Sequence, residues 1–459
     1  MKKNKIFNLI FAFALFLFFA FDFSSCASSQ NIEKSSRNRR QANNRVEVKD
    51  FVTLNLSNGI PVIFKKTPPS QIFTLRFIFE GGTPLVPREK SGLEDLTLDL
   101  MFHGGKNYSY DDIQKMQYDM SFSLTSSAGR DYSVAGIQCL KKDLDSVISI
   151  FADGILTPSF AQSDFQNLIV NSRQRLASTI ADPSGQLGLE LEKAAFARTS
   201  YSSSVSLTKE SIDKINLEDI KAHHKKLLDC QRIKIVVVSD FNETEQKNFI
   251  QKLSLYFSSI KKGEYKEPLI QKIAVSGDDL YFKNENAGTS GYALAYFACP
   301  NRYEKDYIPF ALCLMYLDDI LFAEVREKAG AVYSVGSGVL TSKSMLAVIS
   351  AYKVSDNKNI KSLINEAIKK FPDENHIEEK LEQYKNKYLT TLFSSSKNSR
   401  GLASNVITSL EYSGKADSYL NRPEQVKSVT AKDIELAYKK YIFQGESKSN
   451  KMRWIFVTK

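Results

Sequence analysis

The sequence is poor in the side chains that build metal or disulfide frameworks: of 459 residues, five are cysteine and four are histidine. No two cysteines form a CxxC pair. Of Cys139, Cys230, Cys299 and Cys313, most lie in apolar runs such as Tyr296-Phe297-Ala298-Cys299 and Leu312-Cys313-Leu314. Cysteine packs as a small hydrophobe, so these four are expected as buried free thiols, although an exported location keeps a bridge open. The histidines stand at 103, 223, 224 and 376, and no two have the spacing by which a helix presents a pair of imidazoles to zinc. His223 and His224 sit in a Lys-rich stretch and are expected on a solvated helix face.

Residues 6–21 form an apolar run that is short for a spanning helix, and Lys2, Lys3 and Lys5 precede it. This pattern is a secretory signal. It ends in Phe23-Ser24-Ser25-Cys26, which resembles the lipobox at which bacteria acylate a cysteine and cleave before it, with Phe23 in place of the usual Leu, Val or Ile. The expectation is a signal over residues 1–26, lipidation at Cys26 and anchoring in the periplasm or outer envelope. An ordinary signal peptide with a chance cysteine is the alternative. Residues 27–45 are Ser, Asn, Gln and Arg with little to bury, the composition of a disordered tether.

An excess of one charge is also missing from the body of the chain. Residues 1–45 hold eight Lys or Arg and two acids, so they supply +6 of the formal +10. The remaining +4 gives no reason to expect a nucleic-acid partner.

What is present is a large core and a repeat. Hydrophobic residues make up 42% of the chain, and its length favours two or more domains. Residues 51–56 and 60–66 read as strands joined across Ser57-Asn58-Gly59, with a third strand over 72–80. Helices are expected over 92–102, from Ser109 with Asp112 in a capping-box pattern, and over 143–156; strands are expected over 121–125 and 132–140. The order then returns. Asp219-Ile220 precedes Lys225-Lys226 as Asp433-Ile434 precedes Lys439-Lys440, an offset of 214 residues. Each segment leads to an apolar strand, over 233–238 and 452–457. Strand pairs at 121–140 and 334–353 share nearly that offset, each followed by a helix carrying Ser146-Val147-Ile148 or Ser362-Leu363-Ile364. The fold class is therefore α+β, with homologous domains over 46–260 and 275–459, each a mainly antiparallel sheet packed with helices. The polar stretch 261–267 reads as an exposed linker.

Two such halves, opening with strand, Ser-Asn-Gly turn and strand, resemble the insulinase-like (M16) zinc peptidases and the mitochondrial processing peptidases. In that family a helix reading Gly-x-Ala-His-x-x-Glu-His-x-x-Phe-x-Gly supplies two zinc-binding His and the Glu that activates water. Here the corresponding stretch runs from Gly92 to Gly104, keeping Gly92, Phe102 and Gly104. Asp95 and Asp99 replace the two His, and Leu98 replaces the general base. The family's further zinc-binding Glu should fall near 172–174, but residues 167–178 contain no acid. Asp95 and Asp99 share a helix face, yet two carboxylates alone make a poor zinc site. The simpler reading makes Leu93, Leu96 and Leu100 a buried stripe with the acids on the polar side.

The second half keeps more. Its segment from Arg326 to Val335 is similar to the family's Arg-Glu-x-x-Gly-x-x-Tyr-Ser-Val, whose Arg and Tyr reach substrate near the zinc of the opposite half. Arg326 and Tyr333 occupy those positions, and guanidinium and phenol donors suit a substrate carbonyl and the oxyanion developing on it. A helix ending at Gly330 before a strand with an ordinary Tyr is the plainer alternative. The resemblance implies a non-catalytic subunit that binds unfolded peptide for an HxxEH-bearing partner, with zinc held by the partner and no cofactor held by this chain. An envelope scaffold or peptide-binding module with no part in hydrolysis, and an active peptidase with an unusual metal site, are the other readings.

Overall fold

The computed structural model describes residues 50–355, 359–443 and 452–459. The expected signal, Cys26, the expected tether and the expected domain start at residue 46 lie outside the described residues. No described helix is long and apolar enough to cross a membrane.

The first half opens with the expected hairpin, β1 (Phe51–Asn55) and β2 (Pro61–Lys66), paired antiparallel. Gly59 takes φ +88 in the turn. The Asn58 amide donates to the carbonyls of Phe257 and Ile260 at 2.8 and 2.9 Å, fixing the hairpin to the end of a distant helix. The strands β3 (Ile72–Glu80), β4 (Ser123–Ser127), β5 (Tyr132–Leu140) and β6 (Ile233–Ser239) complete a sheet ordered β1-β2-β6-β3-β5-β4, in which β2 and β6 run parallel. The helices of this half are α1 (Leu93–Leu100), α2 (Tyr110–Met120), α3 (Leu144–Leu156), α4 (Gln162–Ala181), α5 (Pro183–Phe196), α6 (Leu217–Leu227) and α7 (Glu243–Phe257).

The second half repeats the plan. Strands β7 (Leu280–Lys283), β8 (Gly291–Ala298), β9 (Val332–Leu340), β10 (Leu346–Val354) and β11 (Arg453–Thr458) are ordered β7-β11-β8-β10-β9, with β7 and β11 parallel. Its helices are α8 (Tyr307–Leu321), α9 (Ile360–Lys369), α10 (Glu374–Ser395), α11 (Ser399–Ser413), α12 (Arg422–Ser428) and α13 (Ala431–Ala437). Strand for strand, β2, β6, β3, β5 and β4 correspond to β7, β11, β8, β10 and β9. The repeated Asp-Ile signal has a physical origin: Asp219 and Asp433 are the third residues of α6 and α13, each closing a capping box with Asn216 or Thr430.

Each sheet carries its own helices on one face and a helix from the other half on the opposite face. Leu187, Leu191 and Phe196 of α5 pack with Leu294, Tyr296 and Ile455 of the second sheet. Ala403, Val406 and Ile407 of α11 pack with Ile63, Ile78 and Val236 of the first. This exchange explains why β3 is buried along nearly its whole length instead of alternating. Residues 261–267 are mostly exposed but are tied down: the Tyr265 amide donates to Asp229 at 2.8 Å, and Lys343 pairs with Glu267 at 2.6 Å.

Candidate functional site

The helix α1 starts at Gly92, which takes φ +83 and directs the chain under Leu207. Leu93, Leu96 and Leu100 are buried as expected, and so is Leu98, at 1% exposure. The position that would carry a general base is thus part of the hydrophobic core. Asp95 and Asp99 are exposed, one turn apart. The Asp95 carboxyl is nevertheless crowded by protein, accepting the Ala128 amide just beyond β4. Desolvation, followed by the charge of Asp99, pushes it up to about 6, and Arg175 on α4 partly offsets this. Residues 167–178 of α4 supply no further carboxylate, and the positive charge of Arg175, felt by Asp95, disfavours a metal ion there. Among the described residues no three His, Cys, Asp or Glu gather to hold a metal. The donor set does not fit zinc.

One expectation about this region needs correction: His223 and His224 are not on a solvated face. Glu94 is 4% exposed and accepts from Arg232 at 2.7 Å, from His223 at 3.0 Å and from the Ser133 hydroxyl. Burial raises its pKa, but Arg232 and then His223 outweigh that and hold it at about 2. The His224 ring donates to the Ile155 carbonyl at 2.8 Å, and burial lowers its pKa. One signal for Glu94 was available: it lies four residues before Leu98, on the same face of the helix. Although serine, histidine and glutamate meet here, the hydroxyl contacts the carboxylate directly. A nucleophilic triad needs the imidazole between them.

The described cysteines are free, with Cys139, Cys299 and Cys313 buried and Cys230 half-buried. Burial pushes the Cys139 thiol up to about 12, the opposite of what a thiolate nucleophile requires.

In the second half, α8 runs on into a π-helical turn over Phe322–Lys328, and Gly330 at φ +59 reverses the chain into β9. Such wide turns recur at functional positions. The turn brings Arg326 beside Tyr333: the guanidinium carbon lies 5.0 Å from the Phe322 ring centre and 6.0 Å from that of Tyr333. Tyr333 is 68% exposed. A third group was not anticipated. A bulge in β10 between Tyr352 and Val354 sets Lys353 at φ +52, with its ammonium 5.4 Å from the Tyr333 ring centre. The exposed phenol is therefore flanked by two cations.

A tandem of mixed sheets with exchanged covering helices, a ligand-less zinc helix in one half and an Arg/Tyr turn in the other, defines the class of this protein. Residues 61–209 match the description Insulinase (Peptidase family M16), and residues 214–388 match Peptidase M16 inactive domain. The chain belongs to peptidase family M16. It is 21% identical over 337 residues to the Non-peptidase homolog YmxG of Helicobacter pylori, covering 71% of this chain and 76% of that protein. It is 26% identical over 252 residues to the Mitochondrial-processing peptidase subunit alpha-1 of Dictyostelium discoideum, covering 54% of this chain and 36% of that one. Among solved structures, a peptidase M16 inactive domain from Pseudomonas fluorescens superposes with a TM-score of 0.77 at 18% identity, covering 89% of this chain and 97% of that one. The periplasmic protease PqqL from Escherichia coli gives 0.74 at 15% identity, covering 95% of this chain and 48% of that one.

Proposed function

We propose that this protein is the non-catalytic subunit of a two-chain M16 peptidase, binding unfolded peptide and presenting Arg326 and Tyr333 to substrate held by an HxxEH-bearing partner. The observation that carries the reading is the contrast between the two halves. The zinc helix has lost its ligands and buried its base position, while Arg326 and Tyr333 stand together and exposed. Losing both would leave a scaffold; keeping the complementary pair suits a shared site. The relatives agree in kind, since one is by name a non-peptidase homologue and another a peptidase subunit.

The sheet orders leave β1, β4, β7 and β9 as edge strands, and β9 carries Tyr333 near its start. An extended peptide adding to such an edge is held by backbone hydrogen bonds, which tolerates many sequences. Donors on Arg326 and Tyr333 then act on charge developing at a carbonyl. Zinc belongs to the partner in this reading.

The test is to purify the chain alone and with an HxxEH-bearing chain encoded beside it, and to measure cleavage of a quenched peptide. The pair should cleave and the lone chain should not. Arg326→Ala or Tyr333→Phe should lower kcat of the pair by about 10²-fold. Zinc-dependent cleavage by the lone chain, or full activity in both variants, would contradict the proposal.

We also propose that the protein is exported and held at the envelope membrane by a lipid on Cys26, on the strength of the basic and apolar leader before Ser24-Ser25-Cys26. Cys26→Ser should move the protein from the membrane to the soluble fraction. An unchanged distribution would refute the anchor.

A further inference from the structure

A cavity of about 410 Å³ lies at the seam between the halves, where Glu80 and Lys234 of the first sheet face Arg302, Lys343 and Glu411 of the second half. That volume falls within the range of small-molecule sites, about 300–1,000 Å³, and far exceeds the roughly 30 Å³ share of one water.

The charges around it do not cancel locally. Lys343 and Glu267 form a matched pair at 2.6 Å. Lys234 is shared between two carboxylates, Glu80 and Glu411, the latter at 3.1 Å. The Glu411 side chain is 1% exposed, and burial followed by the nearby charge of Glu80 raises its pKa against the pull of Lys234. One negative charge is left without its own cation. On the other side, Arg302 has no carboxylate partner among the described residues, and its Nε is buried without a hydrogen-bond acceptor. The nearest aromatic face is that of Tyr307, with its centre 5.9 Å from the guanidinium carbon. One positive charge is left without its own anion. Charges withdrawn from water without partners are costly, Glu411 being fully buried and Arg302 in part, and a ligand that carries one charge of each sign relieves both.

We propose that the seam cavity binds a small zwitterion, a free α-amino acid or dipeptide, with its carboxylate on Arg302 and its ammonium on the oxygens of Glu80 and Glu411 that Lys234 does not engage. The guanidinium fork is suited to a planar carboxylate, and two carboxylates can share an ammonium's three donors. Because the lining comes from both halves, the ligand ties them together. The inference is independent of pairing with a peptidase partner, since it uses neither Arg326 nor Tyr333 and requires no hydrolysis.

Isothermal titration calorimetry on the full chain tests it with glycylglycine and L-alanine, against N-acetyl-L-alanine, which lacks the ammonium, and L-alaninamide, which lacks the carboxylate. A zwitterion should bind saturably, with each capped analogue at least about tenfold weaker, as expected for loss of one charge-assisted contact. Arg302→Gln should abolish the binding, and so should Leu410→Trp, which fills the cavity without changing its charges. If Arg302→Gln fails to fold, the Trp variant decides. No saturable heat from any probe up to about 10 mM, equal binding of the capped analogues, or wild-type binding by a folded Leu410→Trp variant would each overturn the proposal.

Discussion

At Gly92 a Cβ would lie 2.5 Å from the Leu207 amide nitrogen, and the backbone is already left-handed. At Gly104 φ is +103, and a Cβ would sit 3.2 Å from the Tyr110 nitrogen. These glycines are therefore held by backbone geometry, independently of any chemistry on the helix between them. Phe102 is held in a similar way, stacked on Phe151 with ring centres 5.8 Å apart. Asp95 and Asp99, by contrast, lie on the exposed side of the helix, outside its packed leucine stripe. The frame of a zinc helix can thus outlast its ligands.

Glu94 illustrates the reverse case, a residue whose role depends wholly on distant partners. With Arg232 beneath it at 2% exposure, Glu94→Gln leaves a buried guanidinium without a counter-charge. Equilibrium urea denaturation at neutral pH should show a loss of about 3–5 kcal/mol. The pH dependence follows from the direction of the shift. The folded carboxyl, at about 2, lies below its ordinary 4.5. Its contribution is therefore complete above about pH 4.5 and is lost as pH falls from there towards 2. Glu94→Gln should flatten that part of the acid-unfolding curve. An unchanged acid limb would show that other carboxylates control it.

At the scale of elements, the exchanged helices α5 and α11 are what make the two sheets buried on both faces. The Leu187 side chain is 1% exposed and belongs to α5, yet it packs on the sheet of the other half. Leu187→Ala should cost about 2–5 kcal/mol through lost burial and the cavity left behind, measured as a lower denaturation midpoint. If α5 were merely a peripheral attachment, the same substitution would leave the midpoint almost unchanged. The elements themselves were largely legible in the sequence. The β3 strand is found over the predicted residues, the capping box at Ser109 and Asp112 is present, and the 214-residue offset joins two equivalent helix starts. Turn residues and caps work within a few positions, so they can be read without the fold. The sequence carried no mark of the π-helical turn at Phe322–Lys328 or of the bulge that sets Lys353 over Tyr333. Those distortions arise where a helix end or strand is fitted to its neighbours.

For the whole molecule, the mutual covering of sheets predicts that neither half is self-sufficient. A chain ending near residue 270 leaves Ile63, Ile78 and Val236 without α11, and the complementary chain leaves Leu294, Tyr296 and Ile455 without α5. Expressed separately, the halves should aggregate; co-expressed, they should associate and unfold in a single transition by calorimetry. Two well-separated transitions in the intact protein would argue against this coupling.

The sequence by itself determined the duplication, the α+β class, the family frame and the loss of the zinc ligands, because each is encoded in short stretches with fixed spacing. Tertiary structure alone decided which helix covers which sheet and how Glu94 meets His223 and Arg232 across separations of 129 and 138 residues. It also decided that unmatched charges from both halves meet at one seam. Those outcomes depend on where folding brings partners that are far apart in the chain, and no local pattern of residues specifies that distance.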